Sequence, residues 1–213
     1  MAFDHTGWID RARAPESPKP LASKFADWVF QNSVRRLDAQ PLDEDFRRQR
    51  LQLGKITHRD IELFLQVRWT REFLGKSTLS DWSVFFADSG TQPTQIFQAS
   101  RLRIKASPIR CVPDVVLKNE SLNKFLIIER KTTFVPEPDI PVNGWPNVEA
   151  QLWCYSWIDD FDDAAEVLLV GQLWHRTRGG ISLCHRHPSW KRSDVDHHER
   201  CLKWFNKYGG SIG

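Results

Sequence analysis

The chain has 213 residues and lacks any apolar run approaching the ~18 residues of a membrane-spanning helix. Its N-terminal segment also lacks the basic stretch and following apolar stretch that make up a signal peptide. These two absences predict a protein that has no membrane partner and works in the cytoplasm.

Cysteine is scarce, and the few cysteines are scattered along the chain. They are Cys111, Cys154, Cys184 and Cys201. Their spacing does not form a disulfide framework, so we expect free thiols. Two C-terminal spacings, Cys184-x-x-His187 and His198-x-x-Cys201, are typical of zinc ligands. Free thiols and exposed histidines explain these residues more simply, so no zinc is expected there.

An excess of one charge sign is also missing, since the formal net charge is only +3. The distribution along the chain is more informative. Residues 101–131 carry eight Lys/Arg against three Asp/Glu, residues 132–171 carry none against eight, and residues 172–213 carry eight against three. Two basic segments therefore flank an acidic one, and they could face a phosphate backbone. A folded surface of mixed, solvated charges would give the same totals.

The chain contains no internal repeat and no low-complexity tract, so its organisation follows from apolar periodicity. We predict an N-terminal arm and helical lead-in over residues 1–53 and one compact domain over residues 54–213. Helical spacing predicts helices over 21–39, 57–74, 148–158 and 194–207. Apolar runs predict strands at 102–104, 111–117, 124–129, 166–175 and 180–185. This order predicts an α/β fold in which helices flank a central mixed sheet.

The residues that can carry chemistry are Asp114, which follows Pro113, and Glu129 and Lys131, which stand on either side of Arg130. Asp114 falls in the first of two predicted strands, and Glu129 and Lys131 end the second. Residues two apart on a strand point to the same face, so Glu129 and Lys131 share a face. If the two strands pair as a hairpin, Asp114 reaches that face near Glu129.

Two carboxylates beside a lysine suit the cleavage of a phosphodiester bond. Carboxylates are hard oxygen ligands for Mg²⁺ or Mn²⁺, which keep positions for water and a phosphate oxygen. The metal lowers the pKa of a bound water and offsets charge on the pentavalent phosphate. The ammonium of Lys131 can orient the attacking water or stabilise the developing charge. The alternative is a surface cross-strand ion pair without chemistry.

The order Pro113-Asp114 and then Glu129-Arg130-Lys131 resembles the PD-(D/E)xK nuclease superfamily. The resemblance implies a restriction-endonuclease-like core and a nuclease that depends on Mg²⁺ or Mn²⁺. It also implies that Asp114, Glu129 and the backbone carbonyl of Arg130 bind the metal, and that Lys131 assists the attacking water.

A QxxxY pattern follows, formed by Gln151-Leu152-Trp153-Cys154-Tyr155 on the predicted helix 148–158. Residues four apart share a helix face, so Gln151 and Tyr155 point the same way. At this place the pattern is similar to the RecB-like branch of the superfamily, which implies that Gln151 and Tyr155 position the site or the nucleic acid. Some members of that branch hold an iron–sulfur cluster with closely spaced cysteines, and the scattered cysteines here predict none.

The segment Gly54-Lys55-Ile56-Thr57-His58 matches a Gly-x-x-x-His element that the same branch carries at the start of an upstream helix. The resemblance makes His58 the first candidate for an additional metal ligand. Glu62, four residues later on the same helix face, is the second candidate, and Glu72 is the third. The alternative for His58 is a solvated residue in a first helical turn.

Contacts with nucleic acid are predicted for Arg68 and Arg71 of the helix 57–74. Trp145, in the proline-rich loop 132–147, could stack on a base, although tryptophans more often belong to a core. The resemblance favours DNA over RNA as substrate and partner. The chain has no helicase motif, so strand separation would need a helicase or another protein partner. The rival function is a nucleic-acid-binding or scaffold protein that keeps the nuclease fold without turnover.

Overall fold

The computed structural model of the chain describes residues 9–33, 81–88, 95–135, 137–141, 144–177, 180–184 and 187–213. The three helices of these residues are α1 (Ala22–Ser33), α2 (Pro146–Tyr155) and α3 (Val195–Tyr208). Their nine strands are β1 (Trp82–Ala87), β2 (Phe97–Ile104), β3 (Ser107–Cys111), β4 (Val115–Asn119), β5 (Lys124–Thr133), β6 (Glu166–Thr177), β7 (Gly180–Leu183), β8 (Ser189–Lys191) and β9 (Gly210–Ile212). Short 3-10 turns occur at Glu137–Asp139 and Asp159–Phe161. The fold is mixed α/β.

The larger sheet has six strands and is mixed. Its main path is β1-β4-β5-β6-β7, and β8 also pairs with β6. The pair β5 and β6 is parallel, and the other pairs of this sheet are antiparallel. Parallel neighbours need a crossover connection, and α2 lies in the connection between β5 and β6.

The predicted hairpin is confirmed, because β4 and β5 pair with Val115 opposite Ile128. Its turn is built from asparagines. Oδ1 of Asn119 accepts a hydrogen bond from the backbone N–H of Leu122 at 2.9 Å. Asn123 has a φ of +48°, in the left-handed region that asparagine tolerates better than most residues. The polar turn between the strands therefore sets their register.

A smaller sheet has the order β3-β2-β9, and both of its pairs are antiparallel. One face of this sheet is apolar and buried. Its buried side chains are Phe97, Ala99, Leu102, Ile104, Ile109 and Cys111. The other face carries exposed polar residues, so the small sheet covers the core with one face and meets solvent with the other.

Helix α2 lies in the core, where every residue except Asn147 is buried. The parallel pair β5 and β6 and the helices α1 and α3 all contact it. Phe25 of α1 joins the helices, since its ring centroid lies 6.3 Å from that of Trp153 on α2 and 5.3 Å from that of Phe205 on α3. A Cβ atom at Gly171 of β6 would lie 2.8 Å from Cγ1 of Val148, so only glycine permits this approach of helix and strand.

Helix α3 has a side-chain cap at its start and a glycine at its end. The side chain of Asp194 caps its first turn by accepting a hydrogen bond from the backbone N–H of His197 at 3.2 Å. Gly209 ends the helix with a φ of +98°, which glycine adopts without strain. Residues before α1 contact this helix, because the hydroxyl of Tyr208 accepts a hydrogen bond from the backbone N–H of Lys19 at 3.0 Å.

The prediction of one strand over 111–117 is wrong. Cys111 ends β3 in the small sheet, whereas β4 begins at Val115 in the large sheet. Asp114 lies at a bend between them, preceded by Pro113, which cannot donate a ladder hydrogen bond. Asp114 therefore stands at the junction of the two sheets and not inside a strand.

Several boundaries also differ from the predictions. Strand β5 continues to Thr133, so Glu129 and Lys131 lie within it and the predicted loop 132–147 begins later. Helix α2 begins at Pro146, because proline suits the first helical position. The helix predicted over 57–74, and the part of 21–39 beyond Ser33, lie outside the described residues. No helix among the described residues is long and apolar enough to cross a membrane.

Candidate functional site

The β4–β5 hairpin brings Asp114 beside Glu129. Val115 pairs with Ile128, and Asp114 and Glu129 directly flank this last pair of the ladder. Oδ2 of Asp114 accepts a hydrogen bond from the backbone N–H of Arg130 at 2.6 Å. The same backbone contact orients the Asp114 carboxylate toward β5. The two acids that the sequence placed on separate strands are neighbours in the structure.

A chain of hydrogen bonds runs from Glu129 to helix α2. Nζ of Lys131 donates to Oε1 of Glu129 at 2.5 Å and to Oε1 of Gln151 at 3.0 Å. Nε2 of Gln151 donates to the hydroxyl of Tyr155 at 2.6 Å. That hydroxyl in turn donates to the backbone carbonyl of Val112 at 2.8 Å. This series of hydrogen bonds ends at Val112, in the segment that leads into Asp114. Lys131 is held by Glu129 on one side and by Gln151 on the other.

We call Asp114, Glu129, Lys131, Gln151 and Tyr155 the candidate site. The structure brings all five together, as the order of the motifs predicted. Gln151 and Tyr155 bond to each other on α2, and Gln151 bonds to Lys131 on β5. Val112 is the contact that sequence reasoning missed. Its role is carried by a backbone carbonyl, which no side-chain pattern can indicate.

Glu129 is the most strongly perturbed acid of the candidate site. Only 3% of the residue is exposed. Burial raises its pKa from 4.5 to about 8, the charge of Asp114 adds to the rise, and Lys131 and Arg130 act in the opposite direction. A carboxyl group with such a pKa is poised between its neutral and charged forms near neutral pH, and an added cation would favour the charged form.

The lysine and the tyrosine of the candidate site keep their protons. Burial acts to lower the pKa of Lys131, but the charges of Glu129 and Asp114 outweigh it, and the net shift is upward. Burial raises the pKa of Tyr155 well above its usual value, with a further rise from the charge of Glu129. Lys131 therefore carries its charge, and Tyr155 can donate to the carbonyl of Val112.

The donor set of the candidate site fits a divalent cation. Oε2 of Glu129 is buried and has no hydrogen-bond partner among the described residues. A buried carboxylate oxygen without a partner is costly unless it binds a cation. Asp114 offers a second carboxylate next to it, and carboxylate oxygens are the ligands that Mg²⁺ and Mn²⁺ prefer. The residues present are therefore those that such an ion requires.

The remaining predicted contacts have different outcomes. His58, Glu62, Glu72, Arg68 and Arg71 all lie outside the described residues. Trp145 is partly buried, stands immediately before α2, and contacts the core with its apolar surface. Packing accounts for most of its ring, so the sequence alternative of a core tryptophan describes it well.

The C-terminal cysteines and histidines are arranged differently from either zinc spacing. Nδ1 of His197 lies 3.0 Å from Oε1 of Glu149, and Sγ of Cys201 lies 3.8 Å from the same nitrogen. These three ligand atoms lie within 4.8 Å of one another and could hold a metal ion. Arg200, however, places its guanidinium on the same oxygen of Glu149. That guanidinium already supplies the positive charge that the carboxylate needs. The helical spacing of His197 and Cys201, four residues apart, was the available sequence signal.

The comparisons with known proteins assign no family. No protein-family model matches the chain, and no curated protein matches it. Among solved structures, one described as the crystal structure of SSO0001 is similar over 95% of this chain and 82% of its own length, with 12% sequence identity and a TM-score of 0.38. A similarity at this level assigns neither a fold family nor an activity.

Proposed function

We propose that this chain is a divalent-metal-dependent nuclease of the RecB-like branch, with a restriction-endonuclease-like core. The proposal depends chiefly on one observation. A buried carboxylate oxygen of Glu129 has no partner among the described residues, while a charged Lys131 is held at the other oxygen of the same group. Oε2 of Glu129 is therefore available to a cation, and the ammonium of Lys131 lies next to it as a proton donor.

The topology supports a restriction-endonuclease-like core. Strands β4 and β5 form a hairpin, α2 follows β5, and β6 then returns parallel to β5. Acidic residues directly before β4 and within β5 therefore lie side by side, and α2 packs against β5 and β6. Gln151 and Tyr155 occupy the face of α2 that meets these strands.

Asp114 and Glu129 are the residues that would hold Mg²⁺ or Mn²⁺, and the backbone carbonyl of Arg130 is the expected third ligand. When bound, such an ion lowers the pKa of a coordinated water and offsets negative charge on the phosphate. Without a cation, two neighbouring carboxylates repel a phosphodiester. An upstream ligand from His58, Glu62 or Glu72 remains part of the proposal.

The protein's own groups supply orientation and charge. Lys131 keeps its ammonium at the edge of the acid pair, where it can orient the attacking water or stabilise charge on the phosphate. Gln151 holds that ammonium in place, and Tyr155 anchors Gln151 to the backbone at Val112. A positioned group of this kind contributes to catalysis because it needs no reorganisation during the reaction.

DNA is the proposed substrate, as the resemblance to the RecB-like branch implies. A helicase or another protein partner would supply strand separation if the substrate is a duplex. The described residues carry no feature that selects between ends and internal bonds, so the substrate form is an outcome of the test.

The test is a Mn²⁺-dependent digestion of linear and circular, single- and double-stranded DNA, with RNA alongside. The variants are Asp114→Ala and Lys131→Met, and the matched control is Asp160→Ala, which removes an exposed carboxylate outside the candidate site. We expect the control to cleave like the unchanged chain. Each site variant should lose at least about a hundredfold in rate, the size of effect that one transition-state contact has.

Full activity in both site variants would overturn the assignment. Calorimetry with Mn²⁺ separates the remaining cases. Absence of cleavage together with absence of Mn²⁺ binding would favour the rival function, a nucleic-acid-binding or scaffold protein without turnover. Cleavage of circular substrates would show endonuclease activity, and cleavage of linear forms alone would show a requirement for an end.

A further inference from the structure

The small sheet carries an unusual concentration of positive charge next to the candidate site. Residues 95–113 contain four Lys/Arg and no Asp/Glu. All four basic side chains are exposed, while their apolar neighbours in β2 and β3 are buried. The solvent-facing side of this sheet is therefore basic along its length.

Three of the four basic residues form no ion pair with an acid of the described ranges. Arg101 lies 3.7 Å from the carboxylate of Asp162 and contacts the ring of Trp157. Among the described residues, no carboxylate forms an ion pair with Arg103, Lys105 or Arg110. We call Arg103, Lys105 and Arg110 the basic face.

The backbone leads directly from the basic face to the candidate site. Arg110 belongs to β3, which ends one residue before Val112, the residue whose carbonyl accepts the Tyr155 hydroxyl. Arg110 and Asp114 are four positions apart, so their Cα atoms lie at most about 14 Å from each other. Lys105 lies in the turn of the β2–β3 hairpin, just beyond Ser107, and Ser107 is about 10 Å from Arg110 along β3.

These dimensions suit a polymer of phosphates. A strand of B-form nucleic acid places one phosphate every ~3.4 Å, so the length of the basic face corresponds to about three to four nucleotides. Guanidinium and ammonium groups on a rigid sheet are well suited to hold a backbone without reading its sequence.

We infer that the basic face binds the phosphate backbone of the nucleic-acid substrate and guides it into the candidate site. The inference rests on the proposed function for the identity of the polyanion. It adds a substrate-binding surface on the small sheet to the contacts that the sequence predicts at Arg68, Arg71 and Trp145.

The test measures binding and not cleavage. Fluorescence anisotropy with a labelled 30-nucleotide single strand and the corresponding duplex, in EDTA, gives Kd over a series of NaCl concentrations. The test variant is the triple substitution Arg103→Ala, Lys105→Ala and Arg110→Ala. The control variant, Lys24→Ala, Lys191→Ala and Lys203→Ala, removes the same charge from exposed lysines that are each paired with an acid.

Each phosphate contact contributes a slope of about 0.7 for single strands and about 0.9 for duplexes to the plot of log Kd against log salt. The test variant should therefore lose about 2 slope units with the single strand and about 2.7 with the duplex. If affinities converge near 1 M salt, the single-strand Kd at 0.1 M rises about a hundredfold. The control variant should change the slope by less than about half a unit.

Equal slopes for the two variants would overturn the inference, as would an unchanged Kd in the test variant. Thermal unfolding by circular dichroism shows that each variant is folded, and Arg103→Gln, Lys105→Gln and Arg110→Gln replaces the alanine set if that set unfolds. Failure of the unchanged chain to bind either probe overturns the inference. Binding through the basic face without Mn²⁺-dependent cleavage overturns only the proposed function.

Discussion

Replacing Glu129 by glutamine should change how the stability of the metal-free protein depends on pH. In the unfolded chain this carboxyl ionises near its usual pKa of 4.5, whereas the fold holds the proton up to about pH 8. The unfolded state therefore loses its proton first as the pH rises. Native stability from this group is complete below pH 4.5, decreases above it, and reaches its minimum once the pH exceeds 8. Glu129→Gln keeps the shape of the side chain and removes this titration.

The size of the effect follows from the shift. Each pKa unit corresponds to about 1.4 kcal/mol, so between about pH 5.5 and pH 8.5 the unchanged chain loses about 3 kcal/mol relative to Glu129→Gln. For a chain of this length, a change of that size corresponds to a Tm difference of roughly 6–12 °C. The charged groups facing Glu129 are Asp114, Lys131 and Arg130. The substitution leaves these three residues in place but removes the charge that helps to raise the pKa of Lys131.

The assay is thermal or urea unfolding of both proteins in EDTA across this pH range. Asp160→Ala, an exposed acid, serves as the control and should follow the unchanged chain. A second series with Mn²⁺ should stabilise the unchanged chain more at the high-pH end than Glu129→Gln, because a bound ion stabilises only the state that holds it. Parallel curves for the unchanged chain and Glu129→Gln in EDTA would refute the argument that Glu129 is buried beside Asp114.

Two other substitutions test the contacts around α2. Tyr155→Phe removes the hydroxyl that bonds to Gln151 and Val112, and should cost about 1–2 kcal/mol in urea unfolding together with a lower cleavage rate. Tyr208→Phe, which also loses hydroxyl hydrogen bonds, should cost a similar stability and leave cleavage unchanged; equal rates in the two variants would contradict the role of Tyr155. Arg200→Ala leaves buried Glu149 without its guanidinium and should cost about 2–3 kcal/mol of unfolding free energy, at the low end for such pairs because Arg200 is 34% exposed. An unfolding free energy unchanged in Arg200→Ala would show that the ion pair contributes no net stability.

Local sequence signals were sufficient for much of the secondary structure near the candidate site. Helix α3 was predicted from Asp194 onward, and its cap and its glycine end are present in the structure. The β4–β5 hairpin and α2 followed from apolar periodicity and from a polar turn. These features depend on residues a few positions apart, because capping, turn formation and amphipathic spacing are local interactions.

Other features of the fold depend on which strands pair with each other. The run 111–117 has one apolar pattern, but β3 pairs with β2 and β4 pairs with β5, so the run divides between two sheets. The C-terminal strand β9, which pairs with β2, has only three residues and no periodic signal of its own. Strand membership is settled by distant partners, and a short run cannot indicate them.

The candidate site likewise has features that the sequence indicates and features that only tertiary packing determines. Asp114, Glu129 and Lys131 were predicted from residue type and strand placement, and Gln151 and Tyr155 from the resemblance to the RecB-like branch. The burial of Glu129, its raised pKa and the bond from Tyr155 to Val112 could not be identified in this way. Each of these depends on strands and a helix separated along the chain packing together, since desolvation and backbone contacts arise only when distant segments exclude water from a common space.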